Sequence, residues 1–169
     1  MLLIIKNKMK VFKFEKKNLL FLFASLLPLI FGYLGSLLTA PKIDGWYKLL
    51  NKPFFNPPNW IFAPVWTVLF ILMGVSIYLI LKKSASHYRR SAIFIFYLQL
   101  FLNLIWSFLF FYLGCIDLAF FEIIVLTFAI ITSIVYFWRL SRLSAYLLFP
   151  YLIWVLFASI LNYSIYILN

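Results

Sequence analysis

The run Trp60-Ile61-Phe62-Ala63-Pro64-Val65-Trp66-Thr67-Val68-Leu69-Phe70-Ile71-Leu72-Met73-Gly74-Val75-Ser76-Ile77-Tyr78-Leu79-Ile80-Leu81 is uncharged from end to end. At ~1.5 Å per residue, a helix of that length crosses the roughly 30 Å hydrocarbon core of a bilayer. Four further stretches read the same way: Leu19–Leu38, Ala92–Gly114, Leu118–Trp138 and Ser144–Leu168, none containing Lys or Arg. Membrane strands need only about ten residues but strict alternation, which these runs lack, so a β-barrel is excluded. The sequence therefore predicts an all-α integral membrane protein, a bundle of five transmembrane helices.

Composition agrees. The 169 residues are 66% hydrophobic and 11% charged, with mean hydropathy +1.05, more apolar surface than a soluble domain of this size can bury. The net charge of +11 has an orientational meaning rather than a nucleic-acid one. Twelve of the fifteen Lys and Arg fall on one side of the bundle: six lysines from Lys6 to Lys17, then Lys82, Lys83, Arg89, Arg90, Arg139 and Arg142. The opposite side has Lys42, Lys48 and Lys52. By the positive-inside rule, a basic arm at 1–18 faces the cytoplasm and the membrane domain at 19–169 ends outside, if the membrane is that of a bacterial cell. Cys115 stands alone, so no intrachain disulfide and no cysteine metal site are expected. The single His87, in a basic loop, reads as a solvated residue rather than a haem ligand.

The first loop, between Thr39 and Pro64, is the odd one. It holds Pro41, Pro53, Pro57 and Pro58 and ends on Pro64, which favours a semi-rigid extended backbone. Trp46, Phe54, Phe55 and Trp60 are expected to form an apolar underside. Such a loop either rests on the headgroups at the interface or, the reading favoured here, folds as a lid over the open end of the bundle, with Lys42, Lys48 and Lys52 at its mouth.

Polar groups inside a bilayer ask for a partner or a purpose. In the third apolar stretch Gln99, Asn103, Ser107 and Phe110 recur on one helical face with Trp106 beside them, and in the fifth Trp154, Ala158 and Asn162 recur every four residues. Helix–helix glue accounts for Gln99 and Ser107. Mid-span tryptophans need somewhere for the indole N–H, and a ligand cavity lined by Asn103, Trp106 and Trp154 supplies it. In the first stretch Ser25, Pro28, Gly32, Gly35 and Ser36 form a packing face, for another helix of the chain or for a second copy in a homodimer. The four acids, Glu15, Asp44, Asp117 and Glu122, make no relay for proton-driven transport.

Three motifs carry a resemblance. Trp46-Tyr47-Lys48-Leu49-Leu50-Asn51-Lys52-Pro53 with Asn56-Pro57-Pro58-Asn59-Trp60-Ile61-Phe62-Ala63-Pro64-Val65-Trp66-Thr67 resembles the first loop and second helix of the TspO/MBR family. Gln99 to Ser107 with Phe110-Phe111 is similar to its third helix, and Pro150 to Asn162 to its fifth. The resemblance implies a receptor or transport protein for tetrapyrroles such as protoporphyrin IX, and in animals also for cholesterol. It implies a regulatory, stress-protective or transport role and a pocket at Trp66, Asn103, Trp106, Trp154 and Ala158. Some bacterial members are credited with light-dependent porphyrin breakdown, which would fall to Trp66 and Trp154 here. A lipid or sterol carrier is the other alternative, although Tyr163 is followed by no basic residue of the kind that closes the animal sterol motif. No nucleophile–base pair, metal cluster or cofactor motif is present, so no cofactor is expected.

Overall fold

The computed structural model describes residues 16–169. The chain runs α1 (Lys16–Ile43), α2 (Trp46–Leu49), α3 (Asn59–Leu81), α4 (His87–Ser107), a π-helical turn (Phe108–Tyr112), α5 (Ile116–Leu140) and α6 (Arg142–Leu168). Five of these helices are long and apolar enough to cross a membrane, and the described residues contain no strand. The basic arm lies outside the described residues as far as residue 15, and α1 begins inside its expected range.

The helices outrun their apolar cores at the charged ends. Ser86 caps α4, its hydroxyl accepting from the Arg89 N–H at 3.1 Å, so that helix begins in the basic loop, five residues before Ala92. Arg89 in turn donates to the carbonyls of Leu81 and Lys83 at 2.9 and 2.7 Å, satisfying groups left open at the end of α3. Ser141 caps α6 in the same manner. The first helix continues through Pro41 to Ile43, because a proline in the last turn forfeits one hydrogen bond without breaking those before it. This shortens the first loop, and α2 gives it a helical turn.

Helix α5 packs between α4 and α6, α3 lies against α6, and α1 rests on α3 and α4. The small-residue face of α1 is used within the chain. A Cβ at Gly74 of α3 would overlap the Ser25 carbonyl, and one at Gly32 would overlap the ring of Phe70. The Tyr97 hydroxyl donates to the Ala24 carbonyl at 3.1 Å, tying the same end of α1 to α4. Around this crossing the bundle is solid: Met73, Ile77, Ile80, Ala92, Phe96, Phe137 and Ala145 have no exposed surface, and Phe96 stacks on Phe137 with centroids 5.6 Å apart.

Candidate functional site

Toward the first loop α1, α2, α3, α4 and α6, with the π turn, enclose a cavity of about 510 Å³. Its α3 wall is aromatic because Phe62, Trp66 and Phe70 recur every four residues. Trp66 stacks on Phe70 at 5.5 Å and meets Tyr151 edge-on at 6.2 Å. On α6, Trp154, Ala158, Leu161 and Ile165 face inward, with Phe62 against Trp154 at 5.9 Å. The small Ala158 side chain leaves room between the larger groups on that face. Helix α4 contributes Asn103, Trp106 and Ser107. The π turn then brings Phe110 into a parallel stack on Trp106, 5.2 Å away with planes at 18°.

The five expected pocket residues, Trp66, Asn103, Trp106, Trp154 and Ala158, thus stand on one wall system. Their polar atoms divide into two kinds. The Trp106 indole donates to Asn162 Oδ1 at 3.0 Å, and Asn162 donates on to the Ile116 carbonyl at 3.1 Å. That pair is internal glue joining α4, α6 and the start of α5. By contrast, Trp66 and Trp154 donate to no group among the described residues, and buried Asn103 reaches the cavity surface beside Tyr151. No charged side chain among the described residues lines the cavity.

Trp46 and Phe55 pack beneath the loop as an apolar underside, but the loop meets the cavity through another residue. Its cavity-facing residue is Tyr47, which is buried and donates to Asn56 Oδ1 at 2.8 Å; burial pushes its phenol above the ordinary value. None of Trp46, Lys42, Lys48, Lys52, Phe54 and Phe55 lines the cavity. Trp46 packs edge-on against Phe110 at 5.5 Å and close to Gly114, whose φ of +69° suits glycine. Phe55 reaches Phe157 at 6.4 Å, while Phe54 and Trp60 point outward. Lys52 donates to the carbonyls of Lys48 and Leu50 and so finishes α2, with its ammonium 4.9 Å from the Tyr47 ring centre. Lys42 stands over Tyr112 and Lys48 is exposed. A latch holds the loop down: the Asn51 N–H donates to Asn169 Oδ1 at 2.9 Å, and the Asn169 amide returns a bond to the Asn51 carbonyl at 3.0 Å.

Three residues of chemical interest lie elsewhere. His87 is exposed at the start of α4. Cys115 is a free thiol. Glu122 is inside α5, its carboxylate oxygens buried and without a hydrogen-bond partner among the described residues. The described residues hold no cluster of three or more His, Cys, Asp or Glu that could bind a metal.

These elements define a polytopic helical membrane bundle with an aromatic, uncharged cavity roofed by its first loop. The TspO/MBR family model matches residues 24–168, and the chain belongs to that family. It is 44% identical over 153 residues to the tryptophan-rich protein TspO of Archaeoglobus fulgidus, covering 90% of this chain and 99% of the relative. The tryptophan-rich protein TspO of Chlorobaculum tepidum is 40% identical, with 82% and 88% covered. The translocator protein of Homo sapiens is 31% identical over 144 residues, with 84% and 85% covered. The chain is an integral, multi-pass membrane protein.

Proposed function

We propose that the chain binds a flat, largely apolar tetrapyrrole such as protoporphyrin IX in this cavity, in a regulatory, protective or transport role. The observation that carries the reading is the pairing of Trp66 and Trp154, two mid-span indoles with unspent N–H groups, on the walls of an uncharged space of about 510 Å³. That volume is within the range of roughly 300–1,000 Å³ usual for small-molecule sites. Aromatic faces at these distances suit a planar π-system, and open donors suit its few polar atoms. Metal-free porphyrin asks for no axial ligand, in keeping with an exposed His87. Names given to relatives, translocator protein among them, are compatible with carriage of a ligand but identify none.

We further place the N-terminus in the cytoplasm and Asn169 on the far side, on the distribution of basic residues alone. The test of function is titration of the purified protein with protoporphyrin IX, followed by tryptophan quenching. Saturable quenching is expected; its absence would overturn the reading. Product analysis in light and darkness would then separate binding from porphyrin breakdown at Trp66 and Trp154.

A further inference from the structure

The cavity has an opening, and its position is set by which wall residues are exposed. Those residues are Tyr33, Ser36 and Ala40 on α1 and Asn59, Ala63 and Thr67 on α3, while every other wall residue is buried or half-buried. The spacings are i, i+3, i+7 on one helix and i, i+4, i+8 on the other, so each trio forms a single edge. The two edges border a slit between α1 and α3, roughly 10–12 Å tall at 1.5 Å per residue, comparable to one leaflet's hydrocarbon. It lies on the first-loop side of the point where Gly74 and Ser25 bring the helices into contact.

The chemistry of the slit is that of lipid rather than water. Ser36 donates to the Tyr33 carbonyl at 2.7 Å, and Thr67 to the Ala63 carbonyl at 2.8 Å. Both hydroxyls are thus satisfied on their own helices, and what remains along most of the edge is methyl and methylene. The aqueous end, in contrast, is covered by the first loop. Tyr47 roofs the cavity, and the Asn51–Asn169 latch pins the loop that carries it.

We infer that the slit between α1 and α3 is a lateral portal, through which membrane-dissolved amphiphiles pass between the first-loop leaflet and the cavity. The portal rests on the proposed ligand cavity but fixes something that reading leaves open: the ligand class is one that partitions into lipid first. Small side chains at Ser36, Ala40, Ala63 and Thr67 set the width, so bulk there acts on the rate of passage.

The test uses the full chain in phosphatidylcholine nanodiscs, with Trp60→Phe and Trp138→Phe removing the outward-facing tryptophans. Lipids brominated on the acyl chain should quench the remaining fluorescence without any added ligand, and Ala40→Phe with Ala63→Phe should remove about half or more of that quenching. The same pair should slow protoporphyrin IX association about tenfold, while Asn169→Ala, which cuts the latch, should change it less than about twofold. Quenching untouched by the bulky pair, or association accelerated by Asn169→Ala and indifferent to the pair, would overturn the portal. Should the pair fail to fold by circular dichroism, Ser36→Leu with Thr67→Leu replaces it under the same criteria. If protoporphyrin does not bind at all, the proposed ligand fails and the brominated-lipid measurement still decides the portal.

Discussion

The two ends of this bundle are made from the same five helices and packed on opposite principles. Near the Ser25–Gly74 crossing, apolar side chains interlock: Met73 and Ile77 of α3, Ala92 and Phe96 of α4, Phe137 of α5 and Ala145 of α6 are wholly buried. Toward the first loop, α3 carries Phe62 and Trp66 and α6 carries Trp154. There the large rings meet at their edges and leave a hollow between them. In lipid, helix association draws on packing and hydrogen bonds rather than on burial from water. One end therefore supplies the adhesion that lets the other stay open.

That contrast predicts its own breakage. Gly74→Val should have the largest effect, because its side chain has nowhere to go but the Ser25 carbonyl. A loss of about 3 kcal/mol, at the upper end for overpacking, is expected in detergent unfolding curves, along with ligand binding. Gly45→Ala, with nothing within 4 Å of the added methyl, is the matched control and should leave the unfolding midpoint unchanged.

Next come substitutions that should separate stability from binding. Met73→Ala in the solid end should cost about 2 kcal/mol of stability with little direct effect on affinity. Trp154→Ala in the hollow end should do the reverse, lowering protoporphyrin affinity by roughly tenfold, about 1.5 kcal/mol, for the lost ring face. Asn103→Ala should follow Trp154→Ala in direction. If both cavity variants unfold early and Met73→Ala weakens binding equally, the two ends are not independent and the comparison fails.

The smallest effect is expected from Lys42, Lys48 and Lys52. Replacing all three with Gln should change porphyrin affinity by less than about threefold, because charge contacts near the surface contribute about 0–1 kcal/mol and none of these lines the cavity. A tenfold, salt-sensitive loss would show that the propionates reach outside the wall. The part of this change that does appear should come through Lys52, whose bonds to Lys48 and Leu50 complete the turn carrying Tyr47.

The features that could be read from the sequence divide along physical lines. Spans were legible because lipid demands long uncharged runs, and the wall positions of Asn103, Trp154 and Ala158 because four-residue recurrence survives in any straight helix, whereas Trp66 came only with the family motif. Phe62 and Phe70 obey the same recurrence around Trp66 and could have been found with it. Tyr47 could not be separated from Trp46 by pattern, since a four-residue helix is too short to establish a face. Which lysines approach the cavity depends on how α2 closes onto its own carbonyls, a local geometry with no periodic signature. The Trp106–Asn162 bond joins residues 56 apart in the chain, and a mid-span indole looks the same from sequence whether its donor is spent or free. The string Phe108-Leu109-Phe110-Phe111-Tyr112 hides its π turn, because bulky apolar side chains at every position suit either ladder.

That turn makes chain length, more than chemistry, the critical variable in this stretch. A π turn holds an extra residue relative to the α ladder, and such turns are commonly single insertions within a helix. Taking one residue out between Phe108 and Tyr112 would restore regular winding and swing the chain beyond it by about 100°. Phe110 would leave Trp106, and Gly114 would leave the place where Trp46 rests on it. Aromatic rings can be exchanged for one another here with the wall kept in place, whereas an insertion or deletion re-phases cavity, lid and α5 together. Divergence among homologous chains should accordingly run freely in spelling across these five positions and hardly at all in their number.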